Sequence, residues 1–110
     1  MLEQSAINAV DKFVASIKET ETYKKYSEQL QLIKQQPQLY EKVNEFRQRN
    51  FELQNSEQTD DLFEKIDAFE KEYEKFREEP LVDNFLRAEL ALCRMMQKVD
   101  AMITEKLDFE

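Results

Sequence analysis

The chain is predicted to be all-α: a five-helix antiparallel bundle of helical hairpins with a long C-terminal helix, assembled as a homodimer. Three observations predict this. Apolar residues recur at spacings of three and four along nearly the whole chain, the period of a helix with one buried face. The 110 residues include no glycine and only two prolines, so few points can interrupt a helix. The last segment is apolar around so much of its girth that one subunit of this size cannot cover it.

The first helix, over about residues 4–18, carries Ala6, Val10, Phe13 and Ile17 on one stripe, with Ile7 and Val14 beside it. Thr20 then reads as an N-cap, because its hydroxyl can accept from a free backbone N–H while Glu21 suits the positive helix end. The second helix (about 21–35) presents Tyr23, Tyr26, Leu30 and Ile33. Pro37 fits the first position of a third helix (37–54), and its ring disfavours helical geometry in the residue before it. That helix runs through Leu39, Val43, Phe46 and Leu53, with Phe51 to one side, and ends near Asn55, expected to replace glycine in a left-handed cap. Residues 55–59 read as a loop. Thr59, followed by Asp60 and Asp61, starts a fourth helix (60–79) on which Leu62, Ile66, Phe69, Tyr73 and Phe76 step at heptad spacing. Pro80 opens the fifth helix (80–107). Ile33, Leu30, Tyr26 and Tyr23 precede Pro37 by the same intervals at which Phe76, Tyr73, Phe69 and Ile66 precede Pro80, a half-chain repeat that either duplication or generic amphipathicity produces.

The fifth helix carries the functional information. At about 100° per residue, one stripe is Phe85, Ala88, Leu92, Met95, Val99 and Met102, and a second is Val82, Leu86, Leu90, Cys93, Met96, Ile103 and Leu107. Only an arc with Asp83, Arg87, Arg94, Lys98 and Glu105 is consistently polar. A bundle helix needs one apolar face, and residues 80–107 as a helix span ~42 Å at 1.5 Å per residue, long against the ~13 Å radius of gyration of a compact domain. A two-fold homodimer covers such a rod with self-complementary patches, the alternative being a monomer whose own helices wrap it. The candidate interface is Phe85, Ala88, Leu92, Met95, Met96, Val99 and Met102.

Composition excludes most chemistry. Without glycine, phosphate-cradling loops and dinucleotide fingerprints have no residue suited to their turns, and without histidine no Ser-His-Asp triad or His-bearing zinc site can form. No catalytic residue, metal ligand or cofactor site is expected, and the chain is not expected to be an enzyme. Cys93, the single cysteine, lies on the apolar arc and is expected to pack as a small hydrophobe. No apolar run is long enough for a membrane span, no signal peptide is legible, and the expected location is the cytoplasm.

Charge is lopsided. The net −8 falls wholly in the second half, where residues 56–110 hold sixteen acids and eight bases. Bulk repulsion opposes nucleic acid and anionic membrane as principal ligands, so direct nucleic-acid binding and membrane insertion are not expected. The acidic fourth helix supplies a candidate face for a basic protein partner at Asp60, Asp61, Glu64, Glu74 and Glu78, set against the plainer reading of a solubilising surface. Lys42, Arg47 and Arg49, near Phe46 and Phe51, form the densest basic patch on the third helix, yet no RNA-module signature accompanies them.

Ile17 through Tyr26, Phe46-Arg47 through Phe51-Glu52-Leu53-Gln54, and Glu79-Pro80-Leu81-Val82 through Phe85-Leu86-Arg87-Ala88-Glu89 resemble, in order and content, the bacterial YlbF/YmcA family of small helical regulators. The resemblance spans about residues 5–107 and is closest to a less characterised branch. It implies an all-helical, usually dimeric protein without known catalysis, of a kind linked to competence, sporulation and biofilm formation. Some members act in a complex that influences mRNA processing by a membrane-anchored endoribonuclease, and certain of these hold iron–sulfur clusters through cysteines, including a cysteine-rich tail. With one cysteine and no such tail, this chain is expected to carry no cluster. The expected function is a non-enzymatic regulatory or adaptor protein acting through protein–protein contacts. The alternative is an accessory factor of mRNA processing that contacts an endoribonuclease or RNA directly.

Overall fold

A computed structural model describes residues 1–56 and 61–108 and is all-α. Its elements are α1 (Gln4–Lys18), α2 (Glu21–Lys34), α3 (Pro37–Gln54), α4 (Leu62–Glu78) and α5 (Pro80–Leu107), with no strand among the described residues. No described helix is long and apolar enough to cross a membrane.

The boundaries follow local chemistry. Thr20 caps α2: its Oγ1 accepts from the Tyr23 N–H at 3.1 Å and donates to the Ile17 carbonyl at 2.7 Å, so one hydroxyl closes α1 and opens α2. Both prolines stand at the start of a helix, where a missing N–H breaks no bond. Asn55 departs from expectation. Its φ is −101°, not left-handed, because its side-chain amide donates to the Phe51 carbonyl at 2.8 Å and caps α3 without a backbone flip. Among the described residues the left-handed position is Asp108, at φ 52°, where α5 ends. Thr59 and Asp60 lie outside the described residues.

Helices α3 and α4 form an antiparallel hairpin around an aromatic stack. The pairing runs Lys42 with Phe76, Phe46 with Tyr73, and Arg49 with Phe69. Phe46 is its hub, stacked on Phe69 at 5.3 Å and edge-on to Tyr73 at 5.2 Å. Helix α2 makes the most extensive helix contact in the fold, along α5, with Tyr26 against Phe85 at 6.0 Å. Ile33, Val43, Val82 and Phe85 join these two pairs into one core.

Tyr73 gives the core a pH signature. Its ring is buried while its hydroxyl donates to Glu45 Oε1 at 3.1 Å and accepts from Arg49 Nη1 at the same distance. Burial raises its phenol above the ordinary 10.0, and burial, then Glu89, raises Tyr26 likewise. A phenol whose folded pKa is raised contributes stability that is complete below its unfolded value and is lost as pH climbs through the folded one. Stability is therefore expected to fall from about pH 10 upward. Tyr73→Phe should flatten that fall in denaturant titrations across alkaline pH, and an unchanged slope would remove Tyr73 as its source.

Candidate functional site

No three His, Cys, Asp or Glu side chains gather to hold a metal among the described residues. What the chain offers instead is surface.

The first exposed surface follows from length. At 1.5 Å per residue α2 is ~21 Å long and α5 ~42 Å, so α2 can shield only half of α5. Phe85, Leu92, Val99 and Ile103 fall within about 40° of one another around the axis. The face that meets α2 therefore continues past the end of α2, where Met102, Ile103 and Leu107 are exposed. Helix α1 cannot fill the gap: its main contact is with α2, it buries none of its own side chains, and Ile7, Val10, Phe13 and Val14 are open to solvent. Two apolar faces are thus left open, one along α1 and one on the distal part of α5.

This placement corrects part of the expected interface. Phe85 and Ala88 are buried within their own subunit, 0% and 4% exposed, because α2 and the core occupy the face they share. Leu92, Met95 and Val99 are half-buried, and Met96 and Met102 are exposed. Cys93 is corrected as well. It is exposed, since it points away from α2 on the other side of α5.

The second surface is a groove of about 620 Å³ between α3, α4 and α5. Helices α4 and α5 diverge from the Pro80 junction, so that Leu62 and Ile66 on one arm face Leu86, Leu90 and Cys93 on the other, with Leu53 of α3 behind. Leu90 is 49% exposed. Beside the groove runs a charged trough containing Asp67, Glu70, Glu74, Glu78 and Asp83, and Glu70 and Arg77 belong to both. Of the expected acidic face, Glu74 and Glu78 line this trough. Asp61 and Glu64 are exposed outside it, and Asp60 falls beyond the described residues.

The basic patch is engaged with the protein itself. Arg47 pairs with Glu89 and lies 5.6 Å over the Phe85 ring, Arg49 pairs with Glu72 at 2.6 Å, and Lys42 lies over Phe76. The hydrogen bond from Arg49 holds Glu72 below the ordinary carboxylate range, and the same bond, with that to Tyr73, raises the guanidinium. These cations tie α3 to α4 and α5.

The groove was only half legible. Leu86, Leu90 and Cys93 belong to the second stripe of the fifth helix, but Leu53, Leu62 and Ile66 look like ordinary core positions until α4 and α5 are seen to splay. The α1 stripe likewise carries no mark in its sequence that it lacks a partner.

No curated protein and no solved structure matches the chain. A family match covers nearly all of it, residues 6–108, under the description "Control of competence regulator ComK, YlbF/YmcA". By that match over residues 6–108, and with five helices among the described residues, the chain belongs to the YlbF/YmcA family, whose description is regulatory.

Proposed function

We propose that this protein is a non-enzymatic regulatory adaptor of the cytoplasm that works as a homodimer through protein–protein contacts, in the control process for which its family is described. The observation that carries the reading is surface area. A compact monomer of 13.3 kDa exposes roughly 6,500 Å² by size scaling, whereas this subunit exposes 9155 Å². The excess of about 2,700 Å² per subunit is on the scale that each partner of a large, obligate interface surrenders. The radius of gyration agrees: 18.0 Å against ~13 Å for a compact domain. In the dimer, α1 and the distal half of α5 from each subunit come together as four helices, which covers both apolar faces at once.

Direct RNA contact has less support. Lys42, Arg47 and Arg49 are occupied by Phe76, Glu89 and Glu72, and displacing those partners would unpick the α3–α4 hairpin and its link to α5. The immobilised protein, exposed to cell extract with and without nuclease, should retain a protein partner after RNA digestion and lose it as salt rises. If everything retained departs with the RNA, the mRNA-processing alternative replaces this reading.

A further inference from the structure

We infer that the groove between α3, α4 and α5 is the docking site for a basic amphipathic helix of a partner protein. The inference rests on the adaptor reading above and names the chemistry of the partner. The groove floor is aliphatic and partly solvent-exposed, with Leu53, Ile66, Leu86 and Leu90 facing one another across the splay of α4 from α5. Such a wedge accepts the apolar stripe of a helix, read at spacings of three, four and seven. The α4 arm from Leu62 to Arg77 is ~24 Å long at 1.5 Å per residue, room for about four turns.

Charge selects the occupant. Glu70, Glu74 and Glu78 follow one another at four-residue spacing along the lip, and none has a cation partner among the described residues. Asp67 and Asp83 on the same trough are already paired, with Lys71 and Arg87. On the opposite side Glu89 is neutralised by Arg47. One lip is therefore net negative, its three glutamates outweighing Arg77, which lines both groove and trough and lies over the Phe46 ring, and the other lip is balanced, so the best occupant sets a row of lysines or arginines along one flank of its apolar stripe. A second copy of this chain supplies no such helix. Its free helix α1 contains one acid, Asp11, and two bases, Lys12 and Lys18, with uncharged Gln4, Ser5, Asn8 and Ser16 as its other polar residues.

The test uses two fluorescent peptides of about 14 residues, ~21 Å as helices, with leucines on one face and either lysines or glutamates on the rest. Fluorescence anisotropy against the intact chain is expected to give micromolar binding of the lysine peptide and at least about tenfold weaker binding of the glutamate peptide, a difference that shrinks with salt. Leu90→Ser leaves the charge unchanged and removes a half-exposed side chain, so the variant keeps its helical circular dichroism; it should weaken the lysine peptide by about tenfold. Glu70→Lys combined with Glu74→Lys should reverse the preference. Equal binding to the native chain and Leu90→Ser would reduce the effect to bulk charge and overturn the groove, as would a preference for the glutamate peptide. A Leu90→Ser variant that loses self-association and not peptide binding would assign the groove to a second copy and overturn the inference too. If neither peptide binds while extract capture succeeds, the inference fails and the adaptor reading survives.

Discussion

Phe46→Ala is expected to lower the free energy of unfolding by about 3–5 kcal/mol, the usual cost of deleting a buried phenyl ring. The ring sits where the α3–α4 hairpin meets itself: it stacks on Phe69 at an interplanar angle of 17°, meets Tyr73 edge-on and Phe76 at 6.2 Å, and lies 5.8 Å from the Arg77 guanidinium. Removing it strands three aromatic partners at once, and rings cannot collapse into the space as aliphatic chains can. A domain of this size is stable by about 5–15 kcal/mol in all, and its core is one small cluster, so the variant should lie near the edge of folding. Denaturant titration at fixed protein concentration measures the loss, with Phe51→Ala as the reference. Phe51 is 63% exposed on the same helix and should cost no more than about 0.5 kcal/mol. Equal losses for the two variants would remove Phe46 from the centre of the fold.

Why the helices were legible and the surfaces were not follows from what periodicity encodes. Val43, Phe46, Phe69, Tyr73 and Phe76 announce a buried side by recurring on one face, and the structure buries them. Pro37 and Pro80 announce helix starts because each lacks an N–H that only the first turn can spare. Periodicity says that a face is apolar, however, and not which element covers it. Ala6, Val10 and Phe13 in α1 repeat as regularly as the core of α3, yet they are exposed. The first stripe of the fifth helix is split for the same reason. Phe85 and Ala88 are taken by the subunit's own core, and only the end beyond the reach of α2 stays free. Cys93 looked internal because its neighbours are apolar, but it falls on the open side of the α4–α5 splay. Distances between helices that are remote in sequence decide such cases, and local pattern does not contain them.

The free faces make their own quantitative demand, which Phe13→Glu and Ile103→Glu together should expose. Phe13 of α1 and Ile103 of α5 are 40% and 46% exposed in the subunit, and neither belongs to the core cluster. A change to glutamate should therefore leave the helical content intact while placing two carboxylates per subunit in the proposed contact. Each desolvated charge costs several kcal/mol unless paired, and a loss of about 4 kcal/mol raises the dissociation constant roughly a thousandfold. Light scattering at micromolar concentration is expected to give twice the chain mass for the native protein and the single-chain value of 13.3 kDa for the double variant. Leu92→Glu or Met95→Lys would answer less cleanly, because both side chains are half-buried on the stretch of α5 nearer to α2 and core, so that lost mass and lost folding would arrive together. Met102→Leu supplies the converse control: it keeps apolar surface at an exposed position, and the doubled mass should persist. A native protein already at 13.3 kDa, or a double variant still at twice that, would leave α1 and the end of α5 without each other and return their exposed side chains to the search for a different cover.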